Sequence, residues 1–552
     1  MKPYNLPYKT TTTNNILKFK IKPDYLIYSF IFMLMTLATF LWSINLLREW
    51  ANDYGVYYAN AKYMSNNFTL YGEIFANKGP LYYIFLRLLG NLYGWGVKQA
   101  VLSLFITVMT FVIATSWISF KYKLSKWCYL SVALLTIATF FQQPSNACIA
   151  YFQATFMILS FFYLIYSVKM NNIWYVHISL ICLLLATLVR IDALAFVALH
   201  IMLYVWHFHR SAKEINIFFH ITIIFVLILS SIFIPPILFK YNFSAYLLHN
   251  IDFNIYYRTK LLAGIVRLLY RPEATQILVT SGLLIFIISI LSNITNVKSK
   301  IIDQQIENRH TTIDFEGLVA LAVLVFSFLL WIISGSDKDY HIFILVTGVL
   351  IFIIHNIDRY IRLSLLYIMI PYLFYVIFLA TAPGAYTIKR NIANGIFWNA
   401  YNESSKSLMS YKNTIDVLKE SKSAYVIGGG GWLYLFSDTI PLTPINNWWF
   451  YYYKPGYKTE NLVNSHRKLM NSVGVRYILD EGILTNPTKY LQELLEKSYF
   501  ICFPDESKRY SIWEVAKEKT IDYNNEKNSF PKSGIVSTSS RCTKENKQLL
   551  SF

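Results

Sequence analysis

Long apolar stretches separated by short polar loops recur along most of the chain. The first, YLIYSFIFMLMTLATFLWS over 25–43, is long enough for a helix rising about 1.5 Å per residue to cross a hydrocarbon core about 30 Å thick. Similar stretches lie at 98–119, 126–142, 150–168, 173–188, 193–207, 217–238, 276–292, 316–333, 341–356 and 361–380. Together they predict a polytopic α-helical membrane protein with about 11 transmembrane helices. The segments on either side of Arg190 are short and also read as one broken unit. No small-residue cleavage site follows the first run, which reads as a retained anchor rather than a signal peptide.

From 381 the pattern changes. NTIDVLKESKSAYVIGGGG pairs a helical period with a short apolar strand, and HRKLMNSVGVRYILDEG and KYLQELLEKSYFICF repeat that order before RYSIWEV. Such alternation predicts a small α/β domain over 381–552. Gly428 to Gly431 lack the GxGxxG spacing of a nucleotide loop and read as a tight turn.

Composition agrees with membrane residence. Of 552 residues, 55% are hydrophobic and 15% charged, against about 25% charged in a soluble protein. Mean hydropathy is +0.39. Many of the 43 Tyr, 40 Phe and 13 Trp sit near the ends of apolar runs, where amphipathic rings suit lipid headgroups.

The formal charge of +19 is dispersed over short loops rather than gathered into one patch, which argues against a nucleic-acid partner. It serves topology instead, because Lys and Arg favour the cytoplasmic side. Lys2, Lys9, Lys18, Lys20 and Lys22 place segment 1–24 in the cytoplasm. Alternation then puts Lys121, Lys123 and Lys126 inside, followed by Lys169, by Arg210 with Lys213, by Lys298, Lys300 and Arg309, and by Arg359 with Arg362. On this count the membrane region is 25–380, and the outer side receives loops 44–97, 239–275 and 334–340 together with an extracytoplasmic domain after 381. Cys128, Cys148 and Cys182 act as small hydrophobes, and no cysteine pair has metal-ligand spacing. A disulfide between Cys502 and Cys542 is compatible with an extracytoplasmic tail.

The candidate chemistry lies on that outer side. Asp53 follows the first span, where a carboxylate either marks the water boundary or faces a cavity. Glu73 and Lys78 follow, with Gly79 and Pro80 fixing the chain before a new apolar helix. A carboxylate suits deprotonation of an acceptor hydroxyl, and a lysine suits neutralisation of a phosphate leaving group. Arg190 and Asp192 interrupt LLLATLVRIDALAFVALH; charges there are costly unless they pair or line a polar cavity. Asp337, Lys338, Asp339, Tyr340 and His341 crowd the mouth of a later span. The stretch YNFSAYLLHNIDFNIYYRTKLLAGIVRLLY reads either as an interfacial wall or as an ordinary long loop.

With these residues in place, the chain resembles the polytopic glycosyltransferases of the C superfamily, specifically bacterial relatives of dolichyl-phosphate-mannose protein mannosyltransferase and of lipid A aminoarabinose transferase. The resemblance rests on Asp53 in NDYGVYYANAKYM, and on Tyr71, Glu73, Lys78, Gly79 and Pro80 in LYGEIFANKGPLYY. Arg190, and Tyr340 with His341, are similar to weaker family features. Departures are Tyr54 in place of a second acidic residue, Gln153 near the position of a fourth-span Glu, and ILVTG rather than a proline-rich sequence after the histidine.

The resemblance implies inverting transfer of a sugar from a polyprenyl-phosphate donor to an envelope lipid, glycan or protein acceptor at the outer face of the cytoplasmic membrane. It casts Asp53 as base or acceptor-orienting carboxylate, with Glu73 assisting. Lys78 and Arg190 would bind the lipid phosphate, with Asp192 beside Arg190, and Tyr340 and His341 would shape the donor site. No cofactor is implied, and the residues present require no metal. Two other readings fit many spans with intramembrane charges: a transporter or flippase of a lipid-linked glycan, and a non-catalytic envelope assembly protein. Against transport, the sequence lacks a convincing internal repeat.

Overall fold

The computed structural model describes residues 23–45, 53–66, 69–71, 76, 78–124, 129–130, 132–133, 136–137, 148–210, 216–239, 243–247, 315–333, 342–360, 415–416, 419 and six strands between 423 and 548. Its first helix, α1 (Pro23–Asn45), explains how an almost wholly apolar segment still has two faces. Ile31, Met35, Ala38 and Trp42 recur at helical spacing and are buried, whereas Leu26, Phe30, Met33 and Leu37 form the opposite stripe and are exposed. Both stripes are apolar, so the exposed one suits lipid rather than water.

Ring and hydroxyl contacts fix the direction of each following helix. Helix α4 (Val97–Lys121) runs antiparallel to α1, with Phe40 against Phe105 at 5.9 Å and Tyr28 against Phe120 at 5.4 Å. Helix α5 (Cys148–Lys169) is parallel to α4: the Thr110 and Thr155 hydroxyls meet at 3.1 Å, and Trp117 lies 5.1 Å from Phe162. A tight turn through Asn171, at φ 47°, reverses the chain into α6 (Trp174–Val189). Asn tolerates this left-handed conformation better than a branched residue does. A 3-10 segment, Ile191–Phe196, then leads into α7 (Val197–Arg210).

Helix α8 (Ile217–Phe239) carries Pro235 and Pro236 and exposes most of its apolar surface, as expected of a helix bathed in lipid. The short α9 (Phe243–Leu247) follows it. Helices α10 (Phe315–Ile333) and α11 (Ile342–Tyr360) pack as a pair, Gly348 lying directly against the Ser327 side chain. Small residues at a membrane helix interface allow this close approach. Phe343 at the start of α11 meets Tyr151 at 4.1 Å, and His355 near its end meets Tyr122 at 5.6 Å, so α11 runs parallel to α5.

These directions sort the bundle into two ends. Lys121, Lys169 and Arg210 close α4, α5 and α7, where a cation complements the helix dipole. Each lies over an aromatic ring: Lys121 over Trp117 at 5.7 Å, Lys169 over Tyr122 at 5.4 Å and Arg210 over Trp206 at 5.2 Å. The opposite end receives α2 (Asp53–Ser65), α3 (Pro80–Tyr93) and the junction after α6. Between the ends, polar side chains inside the bundle find one another. Ser179 Oγ lies 2.8 Å from His200 Nε2 and 3.1 Å from Ser160 Oγ, and His177 bridges Tyr204 and His220 at 2.7 Å each.

Among the described residues, five helices are long and apolar enough to span a membrane: Leu26–Ser43, Gln99–Lys121, Cys148–Lys169, Ile191–Arg210 and Ile217–Ile237. Shorter apolar helices cover Trp174–Val189, Phe315–Trp331 and Phe343–His355. Eight of the windows expected from sequence are therefore helices. Windows 276–292 and 361–380, and most of 126–142, lie outside the described residues.

In the C-terminal region, four of the expected strands form: β1 (Ser423–Ile427), β3 (Tyr477–Asp480), β4 (Tyr499–Cys502) and β5 (Ser511–Val515). With β2 (Ile440–Pro441) and β6 (Lys547–Gln548) they make one sheet of order β2-β1-β3-β5-β4-β6. Pairing is parallel among β2, β1 and β3 and antiparallel beyond β3, with Ala424 opposite Tyr477 and Ile478 opposite Trp513.

Candidate functional site

The expected site residues that the structure describes gather at the end of the bundle remote from Lys121, Lys169 and Arg210. The turn before α3 is built first from local chemistry. Tyr71 is buried with φ at 63°, an uncommon conformation for a bulky residue, and its hydroxyl donates to the backbone oxygen of Lys78. That bond ties the Tyr71 side chain to the backbone at Lys78. The Tyr71 ring meets Tyr246 of α9 edge-on at 5.2 Å, and burial pushes the Tyr246 phenol up to about 12, so it stays neutral at physiological pH.

Lys78 is buried despite its charge. Gly79 follows in extended conformation, and Pro80 opens α3 at a position where its missing N–H costs nothing. The Gly79 N–H donates to the carbonyl of Val189, the last residue of α6, at 2.9 Å. A Cβ on Gly79 would overlap the carbonyl of Leu188, so only glycine permits this approach. The backbone flanking Lys78 is thereby seated on the backbone flanking Arg190.

At Arg190 the helix stops. The Arg190 N–H still donates to Ala186 at 2.9 Å, but its extended φ of −151° turns the chain out of α6 and into the 3-10 segment. The buried Arg190 guanidinium donates from Nη2 to Asp192 Oδ2 at 2.7 Å. Gln153, buried in the second turn of α5, donates from Nε2 to the other oxygen, Asp192 Oδ1, at 2.6 Å, and reaches the Arg190 carbonyl at 3.4 Å. Both carboxylate oxygens are thus hydrogen-bonded, and the junction is clamped from α5. Arg190 and Asp192 therefore pair, which is one of the alternatives that the sequence left open for them.

Helix α2 is tied to the same end. The Tyr54 hydroxyl donates to Ala100 at 2.6 Å, and Tyr57 packs edge-on against Tyr82 at 6.0 Å and Tyr83 at 5.9 Å. Asp53 is the first residue of α2, a position where a carboxylate complements the helix dipole. Its side chain lies outside what is described, as do Glu73, Tyr340 and His341 altogether. The helix that follows Tyr340 and His341 enters at this end through Phe343, on Tyr151. Among the described residues no group of three or more His, Cys, Asp or Glu side chains could hold a metal ion.

Gln153 is the residue whose part the sequence conceals. A polar amide within CIAYFQATFMILS hints at a buried partner, but which partner is a tertiary fact.

A bundle of apolar helices with a short helix, a Lys-Gly-Pro turn and an arginine junction at one end is the architecture of a polytopic membrane protein. Among solved structures the chain is similar to ArnT from Cupriavidus metallidurans bound to undecaprenyl phosphate, at 12% identity and a TM-score of 0.51, over 88% of this chain and 97% of that one. The apo state of the same protein aligns at 11% identity over 89% of this chain and 98% of that one, with a TM-score of 0.49. The likeness to the lipid-bound structure is one of fold. No family model matches the chain, and a search of curated proteins gave no match.

Proposed function

We propose that the chain is a multi-pass glycosyltransferase that moves a sugar from a polyprenyl-phosphate donor to an envelope lipid, glycan or protein acceptor at the outer face of the cytoplasmic membrane. The observation that carries this reading is the Gly79 to Val189 hydrogen bond, which seats Lys78 beside the Arg190 junction at one end of an apolar bundle. Lys78 and Arg190 are both buried at this end of the bundle, where Asp192 holds Arg190. An anionic lipid phosphate suits such cationic groups, and cations stabilise it as a leaving group.

In this reading Lys78 and Arg190 bind the donor phosphate, and Asp192 holds Arg190. Asp53, on the helix tied to the same end, orients or deprotonates the acceptor hydroxyl, with Glu73 assisting. Tyr340 and His341 shape the donor pocket from the mouth of α11. The hydroxyl oxygen forms the new bond to the anomeric carbon while the bond to the phosphate oxygen breaks, and the phosphate departs with the negative charge. The ends bearing Lys121, Lys169 and Arg210 face the cytoplasm, and the C-terminal domain is extracytoplasmic.

The test is transfer from a radiolabelled polyprenyl-phosphate sugar in membranes. Asp53→Asn should abolish product while folded protein persists, and an unchanged rate removes Asp53 from its role. Lys78→Ala and Arg190→Ala should each raise the donor KM by about tenfold or more. Solute transport without a glycosidic product would overturn the proposal in favour of a transporter.

A further inference from the structure

Gln153 sits on a different helix from the pair it touches. One amide group reaches both the side chain of Asp192 and the backbone carbonyl of Arg190. It therefore spans the irregular junction where α6 has ended and the 3-10 segment begins, a place where helical hydrogen bonds do not set the chain's course. Arg190 and Asp192 are only two residues apart, so their ion pair does not by itself tie either side chain to another helix. The bond from Gln153 ties Asp192 to α5.

The choice of amide also matters. Asp192 already accepts from Arg190 on Oδ2, and Oδ1, in a largely buried site, needs a donor. Glutamine supplies one without adding charge. A glutamate in its place would set a second carboxylate against Asp192, and the two could coexist only by sharing a proton or by drawing Arg190 away.

We infer that Gln153 is a positioning residue for Arg190, acting through Asp192, and that it thereby sets how tightly the site holds a lipid phosphate. The inference rests on the reading given above.

The test measures binding of undecaprenyl phosphate to the purified full-length chain in lipid nanodiscs, alongside sugar transfer and thermal unfolding. Gln153→Leu should weaken binding about tenfold and raise the donor KM similarly, while kcat changes less than about threefold. Asp192→Ala should weaken binding comparably, and the double variant should be no worse than Asp192→Ala alone, because both act along one path. Relative to the wild type at the same pH, Gln153→Glu should bind poorly at about pH 8 and recover toward about pH 6, as a proton bound between the two carboxyls restores a donor to Asp192.

An unchanged affinity in Gln153→Leu, additive losses in the double variant, or a flat pH profile in Gln153→Glu would each overturn the inference. If Gln153→Leu does not fold, the Gln153→Glu profile decides alone. A wild-type chain that binds undecaprenyl phosphate yet transfers no sugar would sink the transferase reading and leave Gln153 to be judged by affinity. A wild-type chain that does not bind it removes both.

Discussion

Gly79 carries more of the site's geometry than its size suggests. Its N–H is bonded to Val189, and its missing side chain leaves room for the Leu188 carbonyl, so one hydrogen atom in place of a methyl group decides whether the Lys78 turn can seat at all. Gly79→Ala should lift the turn off α6 and cut transfer by about tenfold or more, measured as kcat/KM for the donor, because a displacement of about 1 Å is enough for such a loss. Wild-type turnover in this variant would show that the contact is dispensable.

At this scale the sequence is legible where it breaks a local rule. Lys78 beside Gly79 and Pro80, and Arg190 with Asp192 inside an apolar run, stand out because charge and helix breakers are expensive there. Gln153 does not stand out in the same way. An uncharged amide is a smaller offence, and its meaning lies in a partner 39 positions away.

Among the helices, those with a lipid face and a packed face were predictable, and α2 was not. Tyr54, Tyr57, Tyr58, Ala59, Asn60, Ala61, Tyr63 and Met64 are all buried, so α2 has protein around most of its circumference and no stripe for periodicity to detect. The same logic hides β2 and β6, each of two residues, since Lys547 and Gln548 offer no apolar alternation. The break after Arg190 was legible as two short windows, and the 3-10 segment is its structural form.

Packing of α10 on α11 yields a prediction proper to this level. Gly348→Leu would drive a side chain into Ser327, and overpacking of this kind costs about 1–3 kcal/mol. A lowered unfolding temperature in detergent is the expected result, and no change would mean that the pair separates without cost.

For the molecule as a whole, the sorting of helix ends converts charge bias into a topology experiment. Asn91 and Asn171 are both exposed, one just before the end of α3 and the other in the turn between α5 and α6. In a background with the native cysteines replaced, Asn171→Cys should react with an impermeant thiol reagent only when the cytoplasmic face is open to it, and Asn91→Cys only from the outside. Labelling of both from one side would dismantle the proposed orientation and the outer-face reaction with it.

The tether between the Lys78 turn and α6 reaches further than the site itself. Helix α6 is pinned to α5 and α7 through Ser160, Ser179 and His200, deep in the bundle. In the proposed function, a headgroup held by Lys78 would pull on a helix rooted inside the bundle. In the proposed reaction such an anchor discriminates by charge and tolerates little change in shape, so the freedom to accept one sugar over another belongs to surfaces that are not moored in this way.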